Sequence, residues 1–152
     1  MEFSRLPVRS VGEHPLNPLD RAVWPATLPP VAHLLDRPLE LGPATVFVGE
    51  NGSGKSTIVE ALALAFGLGA EGGSTGARHT TRATESRLWD HLQLVRNAGA
   101  SKRGYFLRAE TMHGLYTYLE ELDGSPDTDL HDRSHGEGFL AVLQRKFDER
   151  AT

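Results

Sequence analysis

Nine consecutive residues have the types and spacing of a phosphate-binding loop. The pattern requires a glycine, four variable residues, then glycine, lysine and a hydroxyl residue. Gly49, Gly54, Lys55 and Ser56 occupy those fixed places. Glycine tolerates positive φ, so such a loop can turn its backbone N–H groups inward around an anion. We therefore predict a phosphate site formed by Gly49, Glu50, Asn51, Gly52, Ser53, Gly54, Lys55, Ser56 and Thr57.

Two side chains of this loop indicate a nucleotide that binds together with Mg²⁺. In loops of this pattern the lysine reaches the β- and γ-phosphates, and the hydroxyl after it is a ligand of Mg²⁺. A glycine turn with only a structural role requires neither a lysine nor a hydroxyl at those places. We therefore expect Lys55 to bind phosphate and Ser56 to be the metal ligand.

The residues on either side of the loop predict a strand and a helix. Residues 44–48 are a short apolar, β-prone run, and Ile58, Leu62 and Phe66 repeat every four residues after the loop. Residues at that spacing share one face of a helix. We predict a strand over 44–48, the loop, and then a helix that starts near Lys55 with its positive dipole end at the phosphate site.

The composition is that of one globular domain. The chain has 152 residues, of which 39% are hydrophobic and 24% charged, and it has no cysteine. The lack of cysteine excludes disulfides and cysteine-ligated zinc. No apolar run approaches the length of a membrane span, and the N-terminus lacks the basic-then-apolar order of a signal peptide. We expect a cytoplasmic protein without a membrane span.

The net charge of −4 conceals a basic middle segment. Residues 1–75 carry −3, residues 76–108 carry +5 and residues 109–152 carry −6. A basic segment can contact nucleic acid, but it can equally be a solvated charged face, and both interpretations stay open. Its basic residues, which form no tight cluster in the sequence, are Arg78, Arg82, Arg87, Arg96, Lys102, Arg103 and Arg108.

Eight of the nine prolines lie in the first 43 residues, which disfavours long helices there. We predict an edge strand over residues 3–11, where Pro7 is tolerated. A capped short helix is predicted over residues 27–35, with proline in its first turn. Residues 39–41 are expected to pair with a neighbouring strand.

After the loop helix, a glycine-rich stretch over residues 67–77 predicts a surface loop. Residues 88–96 and 103–108 are both β-like, and Asn97 and Gly99 between them favour a turn, so we predict a β-hairpin. A helix over residues 85–96 is the alternative, because its leucines also fit a helical stripe. Two further helices are predicted, over residues 111–122 and from about 137 to 150.

Four residues at the start of the last predicted helix, Ser134, His135, Gly136 and Glu137, support two compatible interpretations. One is a capping box, in which Ser134 caps the helix and Glu137 reaches back to it. The other is a degenerate form of the Ser-Gly-Gly-Gln or Ser-Gly-Gly-Glu signature loop of ATP-binding cassettes. A serine at a helix N-terminus would present its hydroxyl and the helix dipole to a phosphate.

The phosphate loop resembles that of the ABC, SMC and RecF branch of P-loop ATPases. Residues 106–110 and 134–139 are similar to a bacterial group of small AAA-family ATPases related to the SbcC-type heads of double-strand-break repair. The resemblance covers nearly the whole chain. It implies an α/β, ABC-ATPase-like P-loop NTPase fold, with ATP and Mg²⁺ sandwiched between the two protomers of a homodimer.

The resemblance also implies roles for individual residues. Ser134 and Gly136 would act on the nucleotide of the partner protomer, and His135 stands where the family has glycine. Glu110 would take the place of the family's Q-loop glutamine. Trp24 lies 25 residues before the loop, near the offset at which an aromatic residue stacks on adenine in ATP-binding cassettes. A packed tryptophan is the interpretation that we favour.

Hydrolysis in this family requires a Walker B strand, in which four apolar residues precede an aspartate and a catalytic glutamate. The late pair Asp148 and Glu149 follows only one apolar residue in four, so we identify no catalytic residue. We expect residues 1–152 to be the N-terminal part of a longer ATPase domain, an incomplete P-loop fold made of strand, loop, helix, hairpin and two further helices. It should bind ATP and hydrolyse it negligibly.

Two alternatives belong to other functional classes. One is a small P-loop kinase that uses Arg78, Arg82 or Arg87 in a lid. The other is a non-catalytic module that binds DNA through the basic middle segment, with Arg96, Lys102 and Arg103 as contacts.

Overall fold

The computed structural model describes residues 6–69, 73–74 and 86–108. The helices predicted over 111–122 and 137–150 lie outside these residues, as does most of the predicted 67–77 loop. The chain divides into two compact units. The first comprises residues 1–70 and 74–106 and contains the phosphate loop. The second comprises residues 71–73 and 107–152, and only a few of its residues are described.

The first unit contains a three-stranded antiparallel sheet with strand order β2-β1-β4. Strand β1 (Ser10–Glu13) lies in the centre, between β2 (Leu39–Glu40) and β4 (Leu92–Val95). In this register Val11 is opposite Leu39 on one side and Leu94 on the other. The expected pairing of residues 39–41 is therefore confirmed.

The predicted edge strand over residues 3–11 is wrong in its bounds and in its place in the sheet. Residues 1–5 are not described, and the strand begins at Ser10 and lies in the middle of the sheet. A central strand must donate hydrogen bonds on both sides, and Pro7 has no N–H to give. The ladder therefore starts after Pro7, where Arg9 donates to Val95 O at 2.7 Å and accepts from Leu41 N at 2.7 Å.

The predicted β-hairpin over residues 88–108 is also wrong. A 3₁₀ helix (Arg87–His91) replaces the first half of the expected strand, and β4 then pairs with β1. Strand β5 (Tyr105–Phe106) belongs to a separate two-stranded sheet with β3 (Gly73–Ser74). The turn at Asn97 does form, since its carbonyl accepts from Ala100 N at 3.1 Å. Strand partners depend on packing with distant residues, so a local turn signal did not determine them.

Helix α1 (Pro29–Asp36) confirms the short helix with proline in its first turn. Its N-cap is Leu28, and no side chain caps it, so the helix is not capped as predicted. A helix start normally leaves several N–H groups without partners. Pro29 and Pro30 have no N–H, so fewer donors require a cap.

Helix α2 (Lys55–Phe66) starts where the sequence predicts. It ends in a Schellman motif, in which Gly67 N donates to Leu64 O and Leu68 N to Ala63 O, both at 2.9 Å. Gly67 has φ 99°, a left-handed conformation that glycine adopts without strain. The two glycines that bound the helix, Gly54 and Gly67, thus fix its length locally.

The core lies between the sheet and the helices. It is closed by the 3₁₀ helix, whose Leu88 is fully buried. Partly buried leucines and Phe47 pack around it. No helix in the described part of the chain is long and apolar enough to cross a membrane. The buried core residues are Val11, Ala26, Val31, Leu34, Leu35, Ile58, Ala61, Leu88 and Leu92.

The segment before the loop, residues 44–48, is not a strand, which corrects the sequence prediction. Val46 and Val48 are 81% and 86% exposed, and Phe47 between them packs against the core. A strand exists only through hydrogen bonds to a neighbour. Within residues 6–69, 73–74 and 86–108, no strand pairs with this segment, and it reaches the loop anchored by Phe47.

Candidate functional site

The loop between residue 48 and α2 has the backbone shape of an anion nest. Gly52 and Gly54 have φ values of 78° and 99°, in the left-handed region. Ser53 N donates to Glu50 O at 3.2 Å, which closes a turn inside the loop. Alternation of left-handed and ordinary residues turns successive N–H groups toward one side. The loop therefore folds as its glycine spacing predicts.

Lys55 folds back over the loop. Its Nζ donates to Gly49 O at 2.7 Å and to Glu50 O at 2.6 Å. An ammonium group has three donors, so two hold it in place, and no third partner of Lys55 Nζ is found among residues 6–69, 73–74 and 86–108. The positive charge is thus fixed beside the loop by the loop's own carbonyls.

The N-terminus of α2 is open to a negatively charged ligand. No side chain caps it, and its first turn contains no acidic residue. The first helical hydrogen bond runs from Ile58 N to Gly54 O at 3.0 Å. The N–H groups of Lys55, Ser56 and Thr57 precede that bond, in the part of a helix where N–H groups have no intrahelical partner. This end of the helix carries partial positive charge without compensation from its own side chains.

The exposure of the loop residues fits a bound polyphosphate with Mg²⁺. Glu50, Asn51, Gly52 and Ser56 are exposed, so solvent and ligands reach the loop. Lys55 and Thr57 are half-buried, as is Ser53. The Ser56 hydroxyl lies at the open end of α2, and hydroxyl oxygen suits a hard cation such as Mg²⁺. The donor set therefore fits the predicted ligands.

Leu28 and Pro30, at the N-terminal end of α1, form an apolar wall against the loop. A Cβ atom built on Gly54 would lie 3.2 Å from Leu28 Cδ1 and 3.6 Å from Pro30 Cγ. Gly54 is favoured by its φ of 99°, and a side chain there would also press against Leu28. Sequence reasoning missed this wall. The adjacent prolines at the start of α1 were visible, but their contact with a residue 24 positions away was not.

Trp24 is not packed in the core, which corrects the interpretation favoured from the sequence. The residue is 56% exposed, whereas Pro25 and Ala26 after it are buried. Trp24 lies four residues before Leu28, on the segment that leads to the wall beside Gly54. Its ring is therefore available to a ligand or to solvent.

Some basic residues of the middle segment form contacts within the protein. Arg96 donates to Phe66 O at 3.2 Å and its guanidinium lies 4.2 Å from the centroid of the Phe66 ring. Arg87 pairs with Asp90 at 3.0 Å. Lys102 and Arg103 are exposed. Of the residues assigned to a kinase lid, Arg78 and Arg82 lie outside the described residues.

The remaining predicted site residues are not among those that the structure describes. This holds for Glu110, the Q-loop candidate, and for the signature-like residues. Their roles stay predictions. The signature-like residues are Ser134, His135, Gly136 and Glu137.

The glycine loop, the folded-back lysine and the uncapped helix N-terminus together have the geometry that is typical of a P-loop. A family model described as an AAA domain matches residues 35–105, which contain the loop and all of α2. The AAA domain is a P-loop ATPase domain found in SMC- and SbcC-like proteins. The match covers less than half of the chain and indicates a nucleotide-binding ATPase at a general level. No curated protein and no solved structure matches the chain significantly.

Proposed function

We propose that this chain binds ATP with Mg²⁺ through residues 49–57, as the nucleotide-binding part of an ABC/SMC-like ATPase. The observation that carries the proposal is the Lys55 ammonium, which Gly49 O and Glu50 O hold beside the open N-terminus of α2. The Lys55 charge and the first N–H groups of α2 belong to the same short stretch of chain, and this combination suits a polyphosphate.

Each part of the loop has a distinct task in this proposal. The N–H groups of the loop and of the first turn of α2 bind phosphate oxygens. Lys55 keeps its hydrogen bonds to the two carbonyl oxygens and donates a third hydrogen bond to a phosphate oxygen. Ser56 is the ligand of Mg²⁺, with Thr57 beside it. Mg²⁺, when bound, supplies positive charge that neutralises the phosphate oxygens.

Trp24 is proposed to contact the base. Its exposure supports this role, because an exposed indole offers a flat apolar face for stacking. Its place four residues before Leu28, whose side chain bounds the space beside Gly54, also supports it. ATP affinity should fall on Trp24→Ala while tripolyphosphate affinity does not. Trp89→Ala, which removes the other tryptophan, is the control.

The proposal extends to a homodimer that encloses ATP, with Ser134 and Gly136 of one protomer on the nucleotide of the other, and Glu110 in the Q-loop position. It rests on the sequence resemblance alone. Ser134→Ala should leave ATP binding by the monomer intact and abolish ATP-dependent dimers in sedimentation. Loss of monomer binding would contradict the role in trans.

The direct test replaces the lysine. Lys55→Ala removes the charge-assisted bonds to phosphate, which are worth about 1.5–3 kcal/mol, so ATP affinity should fall roughly 10- to 150-fold. Lys102→Ala is the matched control, because Lys102 is an exposed lysine outside the loop. Binding would be measured by calorimetry with Mg-ATP. Equal affinity in wild type and Lys55→Ala would refute the site.

A further inference from the structure

Arg21 joins three parts of the first unit through one guanidinium group. Its NH1 and NH2 donate to the two carboxylate oxygens of Glu13 in β1, at 2.6 and 3.1 Å. Its Nε and NH2 donate to Asp36 Oδ1, at the end of α1, at 3.1 and 3.0 Å. NH1 also donates to Leu19 O at 2.8 Å. All of the guanidinium nitrogens are engaged.

Among Glu13, Arg21 and Asp36, Glu13 has the least exposed side chain. The Glu13 side chain is 19% exposed, while those of Arg21 and Asp36 are 40% and 62% exposed. Glu13 Oε1 also accepts from Leu19 N at 2.9 Å. A bidentate arginine–carboxylate pair is geometrically restrictive, and partial burial reduces screening by salt. The pair therefore fixes residues 19–21 on the sheet.

From Arg21 a continuous series of turns leads to α1. Val23 N donates to Asp20 O, Ala26 N to Val23 O, and Leu28 N to Pro25 O, at 2.9–3.1 Å. Pro25 and Ala26 are buried in the middle of the segment. Such a segment has little freedom to move independently of its ends. Arg21 holds one end directly, and through Asp36 it also holds the far end of the helix that follows.

The segment ends at the phosphate loop. Leu28 and Pro30 bound the space beside Gly54, where a Cβ would meet them at 3.2 and 3.6 Å. Gly54 is the N-cap of α2 and the last glycine of the loop. A shift of α1 along its axis would therefore move the wall on which Gly54 rests.

We infer that Arg21 is a positioning residue for the phosphate loop, acting through α1 and through Leu28, which bounds the space beside Gly54. By tying β1 to both ends of residues 21–36, it keeps Leu28 and Pro30 against Gly54 and the loop in its binding shape. The inference rests on the proposed function and adds a residue with no contact to the ligand.

The experiment compares Arg21→Gln with Asp90→Asn in the full chain. Asp90→Asn also removes an ion pair, the one with Arg87 at 3.0 Å, but in the 3₁₀ helix. Mg-ATP and tripolyphosphate affinities would be measured by calorimetry at a temperature where circular dichroism shows each variant folded. Destabilisation of the folded state as a whole does not change the affinity of molecules that remain folded. Altered affinity therefore reports on the site.

We expect Arg21→Gln to weaken the binding of Mg-ATP and of tripolyphosphate to the same extent, about 3- to 10-fold, and Asp90→Asn to weaken neither. Arg21→Lys should recover part of the loss. Glu13→Gln should weaken binding similarly, and the double variant should lose no more than either single one, because the two side chains act as a pair. Should Arg21→Gln fail to fold, Glu13→Gln and Arg21→Lys carry the same test.

The outcomes separate the two proposals. If the wild type binds neither ligand, the proposed function fails. If the wild type binds and Arg21→Gln binds equally well, the positioning role is refuted while the proposed function stands. Losses that add in the double variant would also refute it, because Arg21 and Glu13 would then act independently.

Discussion

At the scale of single residues, Gly54 shows how the loop depends on both backbone and neighbours. Its φ of 99° lies in a region that L side chains rarely adopt, and its missing Cβ leaves room for Leu28. Gly52 has a similar φ of 78°, but nothing lies within 4 Å of its Cβ position. Gly52 is therefore favoured by its backbone conformation alone, whereas Gly54 is favoured by its conformation and by its close neighbours.

We therefore predict that Gly54→Ala is worse than Gly52→Ala. Both should lose roughly 1–2 kcal/mol of stability through left-handed strain. Only Gly54→Ala should also displace the Leu28 wall and weaken Mg-ATP further. Urea unfolding and calorimetry would be compared for the two variants. Equal losses of affinity would show that the contact with Leu28 does not matter to the site.

Glu13 gives a prediction about pH. The hydrogen bond from Arg21 holds the pKa of Glu13 below its usual 4.5. A folded-state pKa below the unfolded one means that the carboxylate stabilises the fold above about pH 4.5, and that this contribution disappears as the pH falls through the folded-state pKa. The free energy of unfolding of wild type minus that of Glu13→Gln should thus shrink between pH 5 and pH 3. A constant difference would contradict the shift.

At the scale of elements, α2 is held at the end opposite the phosphate site. Arg96 donates to the carbonyl of Phe66, the last residue of the helix, and its guanidinium stacks on the Phe66 ring. Gly104 lies close to the same ring, since a Cβ built on it would be 2.7 Å from Phe66 Cε1. A cation at a helix C-terminus also complements the dipole. Arg96, which was considered as a DNA contact from the sequence, thus anchors the C-terminus of α2.

Arg96→Met should lower stability by about 1 kcal/mol, because it removes the cation–π and helix-end interactions but keeps most of the apolar stem. Arg103→Met, at an exposed arginine in the same basic segment, should have little effect. Thermal and urea unfolding would measure both. Equal stability of the two variants would show that Arg96 does not anchor α2.

At the scale of the whole molecule, the sequence provides a binding loop but no Walker B pattern. We predict that the wild type binds Mg-ATP and releases phosphate at a rate close to that of Lys55→Ala. Steady-state phosphate release on purified protein is the measurement. Turnover well above that of Lys55→Ala would mean that other carboxylates of this chain perform hydrolysis.

The sequence by itself determined the features that depend on neighbours in the chain. The spacing of Gly49, Gly54 and Lys55 encodes the loop, because φ preferences are local. The repeat of Ile58 and Leu62 encodes α2, because helical periodicity is local too. For the same reason the proline-led α1 was found near its observed bounds.

The tertiary structure alone decided which distant residues meet. Strand β1 begins after Pro7 and is the central strand, because both β2 and β4 pair with it. Residues 44–48, β-prone as they are, formed no strand. Arg21 reached Glu13 and Asp36, and Leu28 reached Gly54, through packing of separate elements. Such contacts depend on how side chains fill one shared volume, and spacing along the chain does not record that.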